Sequence, residues 1–148
     1  MSYLDNQDEI TAVLKSIPNV DVHEGQMSDE AFTALIADSN QLKPFITISF
    51  GGLLDPRKRV NGIVGAKANS QDTTFVVRTV ASTDRTARRA MQLVLDKVIG
   101  FVPTNCGEID TALFGSTGQI SSLGNPTRFA SVQAFRFLVN DPYTSATA

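Results

Sequence analysis

Histidine and cysteine are the side chains that most often serve as base and nucleophile, and this 148-residue chain has one of each. A thiolate–imidazole pair between Cys106 and His23 would supply a nucleophile and the base that activates it. Neither residue lies in a motif typical of such a pair. We therefore interpret His23 as a half-buried strand residue and Cys106 as a loop or core thiol.

Other patterns that could bind or activate a substrate each lack a required feature. Residues 115–118 do not have the G-x-S-x-G spacing of a turn that presents a nucleophilic serine. Residues 62–67 lack the glycine spacing and the Ser or Thr after lysine that a phosphate loop needs, so a flexible arm is the better interpretation. A helix start explains the adjacent acids Asp29 and Glu30. We expect no enzyme activity and no cofactor.

A metal site is not expected either. One histidine and one cysteine, far apart in the chain, match no zinc-ligand spacing, and no run of acids matches a calcium loop. The single cysteine excludes an intramolecular disulfide, which suits a reducing compartment.

Six basic side chains in two groups remain as candidates for a subunit or partner interface: Arg57, Lys58, Arg59, Arg85, Arg88 and Arg89. The first three are adjacent in a predicted loop, and the last three share one face of a predicted helix. Each group is either solvated surface or a contact for an acidic protein surface or a phosphate backbone. No aromatic residues interleave with them and the pI is near 5.3, which disfavours sequence-specific nucleic-acid recognition.

Charge is unevenly distributed along the chain. Residues 1–42 carry eight acids and one lysine, a net −7, residues 43–100 carry a net +6, and residues 101–148 a net −1. These charges either interleave in three dimensions or give the molecule one acidic and one basic side. The second arrangement favours contacts between unlike faces, which generate a ring when they close.

The composition is that of an ordinary globular protein, with 42% hydrophobic and 19% charged residues. The acidic start of the chain has no basic or apolar region typical of a secretory signal. The longest apolar run of the whole chain, residues 45–50, is too short to cross a bilayer. We therefore expect folding in the cytoplasm and no membrane partner.

The first half of the sequence predicts two helices, each followed by a strand. The first helix spans residues 7–16, with Asn6 or Asp5 as its cap, and a short strand follows at 20–23. A second, shorter helix starts at residue 28, and a strand covers 45–50. The residues predicted to face inward from the two helices are Ile10, Val13, Leu14, Ile17, Phe32, Leu35 and Ile36.

The middle of the chain contains the clearest pattern. A polar, glycine-containing stretch at about 51–71 predicts a flexible arm or loop, and residues 72–82 predict a strand. A helix capped by Thr83 or Asp84 then runs to just before Gly100. Its predicted inward residues are Ala87, Ala90, Met91, Val94, Leu95 and Val98, and its predicted outward residues are Arg85, Arg88, Arg89, Gln92 and Asp96.

The last third predicts a short strand at 109–114, turns at 115–126 and a final strand at about 128–139 that presents Phe135, Phe137 and Val139 on one face. A frayed tail follows at about 141–148. The whole order predicts a single α+β domain over residues 1–148. We expect a mostly antiparallel sheet with helices packed on one face.

Three stretches resemble the tail terminator (tail completion) proteins of long-tailed bacteriophages. The first is the N-terminal helix leading through residues 16–20 into a short strand. The second and most telling is 72–103. It contains a strand with alternating residues, then a short polar turn, and then a helix that ends at a glycine just before Pro103. The third is the closing strand through 136–139. This resemblance covers most of the chain as a pattern of elements.

The resemblance implies a fold related to tail-tube subunits and a six-membered ring of this chain. That ring would cap the last ring of the tail tube, stop its polymerisation and present an attachment surface to the head–tail connector. DNA would pass through the lumen without sequence recognition. The protein would be assembled in the host cytoplasm and reside in the virion, at the neck-proximal end of the tail.

Three alternatives remain from the sequence. The first is another neck or tube component of a phage, either a head-completion protein or a tube subunit. A tube subunit would polymerise without limit. A small enzyme or ligand-binding domain would need a convergent polar pocket. The third is a general interaction module without phage origin.

Overall fold

The computed structural model describes residues 3–25, 43–54, 70–121 and 128–140. The elements in these ranges are α1 Tyr3–Lys15, β1 Asp21–Glu24, β2 Phe45–Leu54, β3 Ser70–Ala81, α2 Asp84–Val98, β4 Asp110–Ser121 and β5 Arg128–Asn140. The predicted helix at residue 28, the centre of the predicted arm and the predicted tail at 141–148 lie outside the described residues.

The five strands form one sheet in the order β1-β2-β3-β5-β4. The strand β1 is parallel to β2, and the three remaining pairings are antiparallel. A parallel neighbour requires a crossover connection, and residues 25–44 provide the chain length for it. The α+β prediction is confirmed, and the sheet is mixed.

Both ends of the stretch predicted as a flexible arm, 51–71, belong to strands. The strand β2 continues through Gly51 and Gly52 to Leu54, and β3 already begins at Ser70. The register between the two strands shifts between Phe50 and Leu53, so the glycines occupy an irregularity inside the strand. A bulge of this kind lets an antiparallel pair continue where glycine would otherwise suggest an end.

The prediction of turns at 115–126 was wrong for its first part, because β4 runs to Ser121. Residues 115–119 pair in regular register with β5, from Gly115 opposite Gln133 to Gln119 opposite Phe129. A Cβ at Gly115 would contact the side-chain oxygen of Gln133, so this glycine permits a close approach within the sheet. Pairing along β5 therefore outweighs the low strand propensity of the glycines in β4.

The first helix begins at Tyr3, four residues earlier than predicted. Asn6 is consequently not its cap. The Asn6 side chain is buried and its Nδ2 donates a hydrogen bond to the carbonyl oxygen of Thr104, 2.7 Å away. Ile10 and Leu14 are buried as predicted.

The helix α2 agrees closely with its prediction. The Thr83 hydroxyl accepts a hydrogen bond from the backbone N–H of Thr86 at 3.1 Å, which caps the first turn. Gly100, with φ of +88°, adopts the left-handed conformation that follows a helix end. The five buried residues of α2 are Ala87, Ala90, Met91, Val94 and Val98. Leu95, predicted to face inward, is only half-buried.

Both helices pack on one face of the sheet and share a single core with it. At its centre Phe75 stacks on Phe135, with ring centroids 5.1 Å apart, and meets the edge of Phe137 at 6.0 Å. The buried Thr79 hydroxyl donates to the carbonyl oxygen of Ala87 at 2.8 Å and so ties β3 to α2. This packing fixes which side of α2 faces solvent.

Candidate interface surfaces

The predicted basic face of α2 is solvent-exposed. Arg85, Arg88 and Arg89 all lie outside the core, as do Gln92 and Asp96. The Nε of Arg88 contacts Oδ2 of Asp84 at 3.1 Å, one helical turn away. Exposed pairs of this spacing contribute only about 0.3–0.5 kcal/mol, so the contact leaves Arg88 able to meet a partner.

Arg85 and Arg89 form no ion pair within the part of the chain that the structure describes. Arg57, Lys58 and Arg59, the other predicted group, lie outside the described residues. The structure therefore places one of the two basic groups.

An open cleft of about 380 Å³ lies between α2 and the β4–β5 pair. Its lining residues are Arg88, Met91, Gln92, Leu95, Gly115, Ser131, Val132 and Gln133. Spacings of four and three residues place Arg88, Gln92 and Leu95 along one flank of α2, which therefore faces β4. No sequence pattern indicates this cleft, because its other wall comes from strands that are distant in the chain.

Acidic residues lie at the opposite end of the sheet. Asp21 and Glu24 are exposed on β1, and Asp8 is exposed on α1. The Thr11 hydroxyl of α1 donates to a carboxylate oxygen of Glu24 at 3.1 Å, so α1 and β1 form one acidic side. Because β1 and β4 are opposite ends of the strand order, these acids are separated from the arginines of α2.

Long-range hydrogen bonds hold α1 in this position. The Glu9 carboxylate accepts from the backbone N–H of Thr104 at 2.7 Å and from its hydroxyl at 2.6 Å. Asn6 donates to the Thr104 carbonyl. These contacts join α1 to the loop after α2, and no sequence pattern indicated them because the partners are 95 or more residues apart.

The predictions for Cys106 and His23 are confirmed. Cys106 is buried in the core beneath the helices, and its thiol donates to the Thr104 carbonyl oxygen at 3.4 Å. His23 is a half-buried residue of β1. It pairs with Thr47, whereas the helix-covered face carries Ile46 and Ile48, so His23 and Cys106 lie on opposite faces of the sheet. They do not form a catalytic pair.

Burial, assisted by the nearby Glu9 carboxylate, raises the pKa of Cys106 from 9.0 to about 11. The folded-state pKa lies above the unfolded value. The protonated, buried thiol therefore makes its full contribution to the free energy of unfolding at neutral pH. That contribution should be lost as the pH rises from about 9 towards about 11.

We therefore expect the free energy of unfolding to fall more steeply with pH in the wild type than in Cys106→Ala over this window. Urea titrations of both proteins at several pH values measure the difference. Other groups titrate there, but equally in both proteins. Parallel pH profiles would contradict a buried, protonated thiol.

Within the described ranges, no group of three or more His, Cys, Asp or Glu side chains is arranged to hold a metal ion. Neither α1 nor α2 is long and apolar enough to span a membrane.

The described residues define an α+β protein built on a mixed five-stranded sheet, with exposed carboxylates on α1 and β1 at one end and exposed arginines on α2. No protein-family model matches the chain, and no curated protein matches its sequence.

Proposed function

We propose that this protein is a tail terminator of a long-tailed bacteriophage. In this role a ring of the chain, a hexamer, binds the last ring of the tail tube, stops tube polymerisation and offers the attachment surface for the head–tail connector. It is a virion protein of the neck-proximal tail end, assembled in the host cytoplasm. It acts by occupying a tube end and not by catalysis, and DNA passes through its lumen.

The observation that carries the proposal is the strand–turn–helix segment at 72–103. Its pattern resembles the terminator proteins, and its strand and helix are β3 and α2 of the described fold. The turn between them is short, and Thr83 caps the start of α2. Gly100 follows the helix just before Pro103. In this fold β3 is the middle strand of the sheet and α2 covers it, so the segment forms the centre of the molecule.

The charge distribution supports the same proposal. A ring of identical subunits in a head-to-tail arrangement needs two different, complementary surfaces on each subunit. The exposed arginines of α2 and the exposed acids of α1 and β1 would supply two such surfaces. Opposite potentials of this kind also suppress wrong pairings between like surfaces.

A ligand-binding domain is the second candidate, and the cleft beside α2 favours it. Its volume of about 380 Å³ lies within the range of small-molecule sites, and Arg88, Gln92 and Gln133 could bind polar groups. The cleft is open to solvent, which suits a protein contact better than an enclosed small molecule.

Deletion of the gene from its phage tests the terminator proposal. We expect overlong tails without heads, measured by electron microscopy, because nothing would occupy the end to which tube subunits add. Supplying the wild-type gene on a plasmid should restore normal length and joining.

Other neck and tube roles predict different particles. A head-completion protein would leave tails of normal length that fail to join heads, and a tube subunit would leave no tails. Tails of normal length joined to heads would contradict the proposal.

A further inference from the structure

We propose that copies of this chain associate head to tail through the two opposite edges of the sheet. The strand β4 and the basic flank of α2 in one copy would meet β1 and the acidic side of α1 in the next copy. This inference names the contact through which the proposed terminator ring closes. It rests on the proposed function, which supplies the reason for a ring.

The first argument is that, within the described part of the chain, each end strand has one edge without a neighbouring strand. Among the described residues β1 pairs only with β2, and β4 pairs with β5. Unpaired strand edges are templates for another strand, and proteins usually protect them with lysine, proline or very short strands. The strand β4 has 12 residues, no lysine and no proline, and Asp110, at its first position, is its single charged residue.

Length and direction of the two edges are compatible. Residues 115–119 of β4 are in regular register with β5 between two irregularities, and β1 has four residues. The pairings in the sheet make β4 run opposite to β1. Neighbouring copies in the same orientation would therefore join β4 to β1 as an antiparallel pair, the commoner kind.

The second argument is independent and comes from charge. Arg88 lines the cleft together with Gly115 of β4, so it lies on the flank of α2 next to the β4 edge. Arg85 is one turn away on the same exposed side. At the other edge Glu24 of β1 and Asp8 of α1 are exposed, and Lys15 in the last turn is the single base of α1. Glu24 pairs with Ile48 and therefore lies on the helix-covered face, as the arginines of α2 do.

Continuing the sheet from one copy to the next brings these charges together. Both helices cover the same face, so α2 of one copy would lie beside α1 of its neighbour. Two-fold pairing of β4 with β4 would instead bring two Arg88 side chains together, and like charges across an interface oppose association. The acidic edge of a second copy is therefore the partner that fits.

Charge reversal of each edge tests the inference. Arg85→Glu with Arg88→Glu changes the basic edge, and Asp8→Arg with Glu24→Arg changes the acidic edge. The control, Arg78→Glu with Lys97→Glu, alters net charge as much as the first variant, but Arg78 is exposed on the middle strand β3 and Lys97 is not on the β4 flank of α2. Circular dichroism and thermal melts verify that each variant is folded.

We expect each edge variant to raise the concentration of half-assembly at least about tenfold, measured by sedimentation, while the control behaves as the wild type. An equimolar mixture of the two edge variants should regain wild-type mass, because an all-acidic copy then alternates with an all-basic copy. This rescue also shows that neither variant failed merely by misfolding.

Three results would overturn the inference. Edge variants that assemble like the wild type would remove the charge contact. Stronger association of a mixture of Arg85→Glu/Arg88→Glu with the wild type than of either protein alone, with no effect of Asp8→Arg/Glu24→Arg, would indicate two-fold β4 pairing. A wild-type chain that stays monomeric at its highest soluble concentration would contradict self-association altogether.

Amide hydrogen exchange tests the strand pairing directly. We expect residues 21–24 and 115–119 to gain protection when the wild type assembles. Assembly without that protection would overturn the sheet-edge contact. If the protein forms rings through these edges but leaves tube length unchanged, this inference stands and the terminator proposal is refuted. If the protein stops tube growth without these contacts, the terminator proposal stands and this inference is refuted.

Discussion

Replacing Leu14 by alanine should lower the free energy of unfolding by about 2–5 kcal/mol, because the change leaves a cavity where α1 packs on the core. Leu14 has no exposed surface. The matched control is Leu4→Ala, the same chemical change in the same helix at a side chain that is 64% exposed. That variant should change stability by less than about 0.5 kcal/mol.

Urea titrations of both leucine variants make the comparison. Equal effects would show that α1 does not pack on the sheet through its predicted face. The acidic side would then lose its position, because Asp8 reaches the β1 edge only through the packing of α1.

The second large effect is expected for Phe75→Ala, which should cost about 3–5 kcal/mol. Phe75 is wholly buried and contacts three other phenylalanine rings, those of Phe50, Phe135 and Phe137. Aromatic pairs of this geometry add to the loss beyond buried area alone.

Its control is Val76→Ala, the next residue of β3, whose half-buried side chain lies on the opposite face of the sheet. We expect a clearly smaller loss for this variant in the same titration. A larger loss for Val76→Ala than for Phe75→Ala would place the core on the other face and contradict the packing of both helices.

The sequence predicted α2 well because several independent signals agree there. Its apolar spacing, the cap at Thr83 and the glycine at its end all indicate the same helix. The final strand was equally clear, since Phe135, Phe137 and Val139 alternate and are all buried. Local pattern and tertiary environment coincide in these elements.

Errors arose where a tertiary contact outweighs local propensity. Glycines at 51, 52, 115 and 118 suggested loops. Pairing of Gly115 and Gly118 with β5 keeps them in β4, and pairing of the residues on either side of Gly51 and Gly52 keeps those two in β2. Asn6 suggested a helix cap, yet its partner is the carbonyl of Thr104. Neither kind of contact leaves a signal within a short window of sequence.

The candidate interface was predictable only in part. Helical spacing alone placed Arg85, Arg88 and Arg89 on one exposed face. The sequence could not predict that Arg88 borders the edge strand. This position depends on β4 lying beside β5 and beneath α2. The separation of the acidic and basic sides likewise follows from strand order and not from charge along the chain.

The terminator proposal is tested most directly by adding the purified protein to growing tubes of its phage's tail-tube protein. Electron microscopy would measure tube length as the ratio of added protein to tubes increases. A terminator acts by stoichiometric binding, so elongation should stop and the effect should saturate near one ring per tube end. Tubes that grow to the same length at every ratio, or that incorporate the protein along their length, would contradict the proposal.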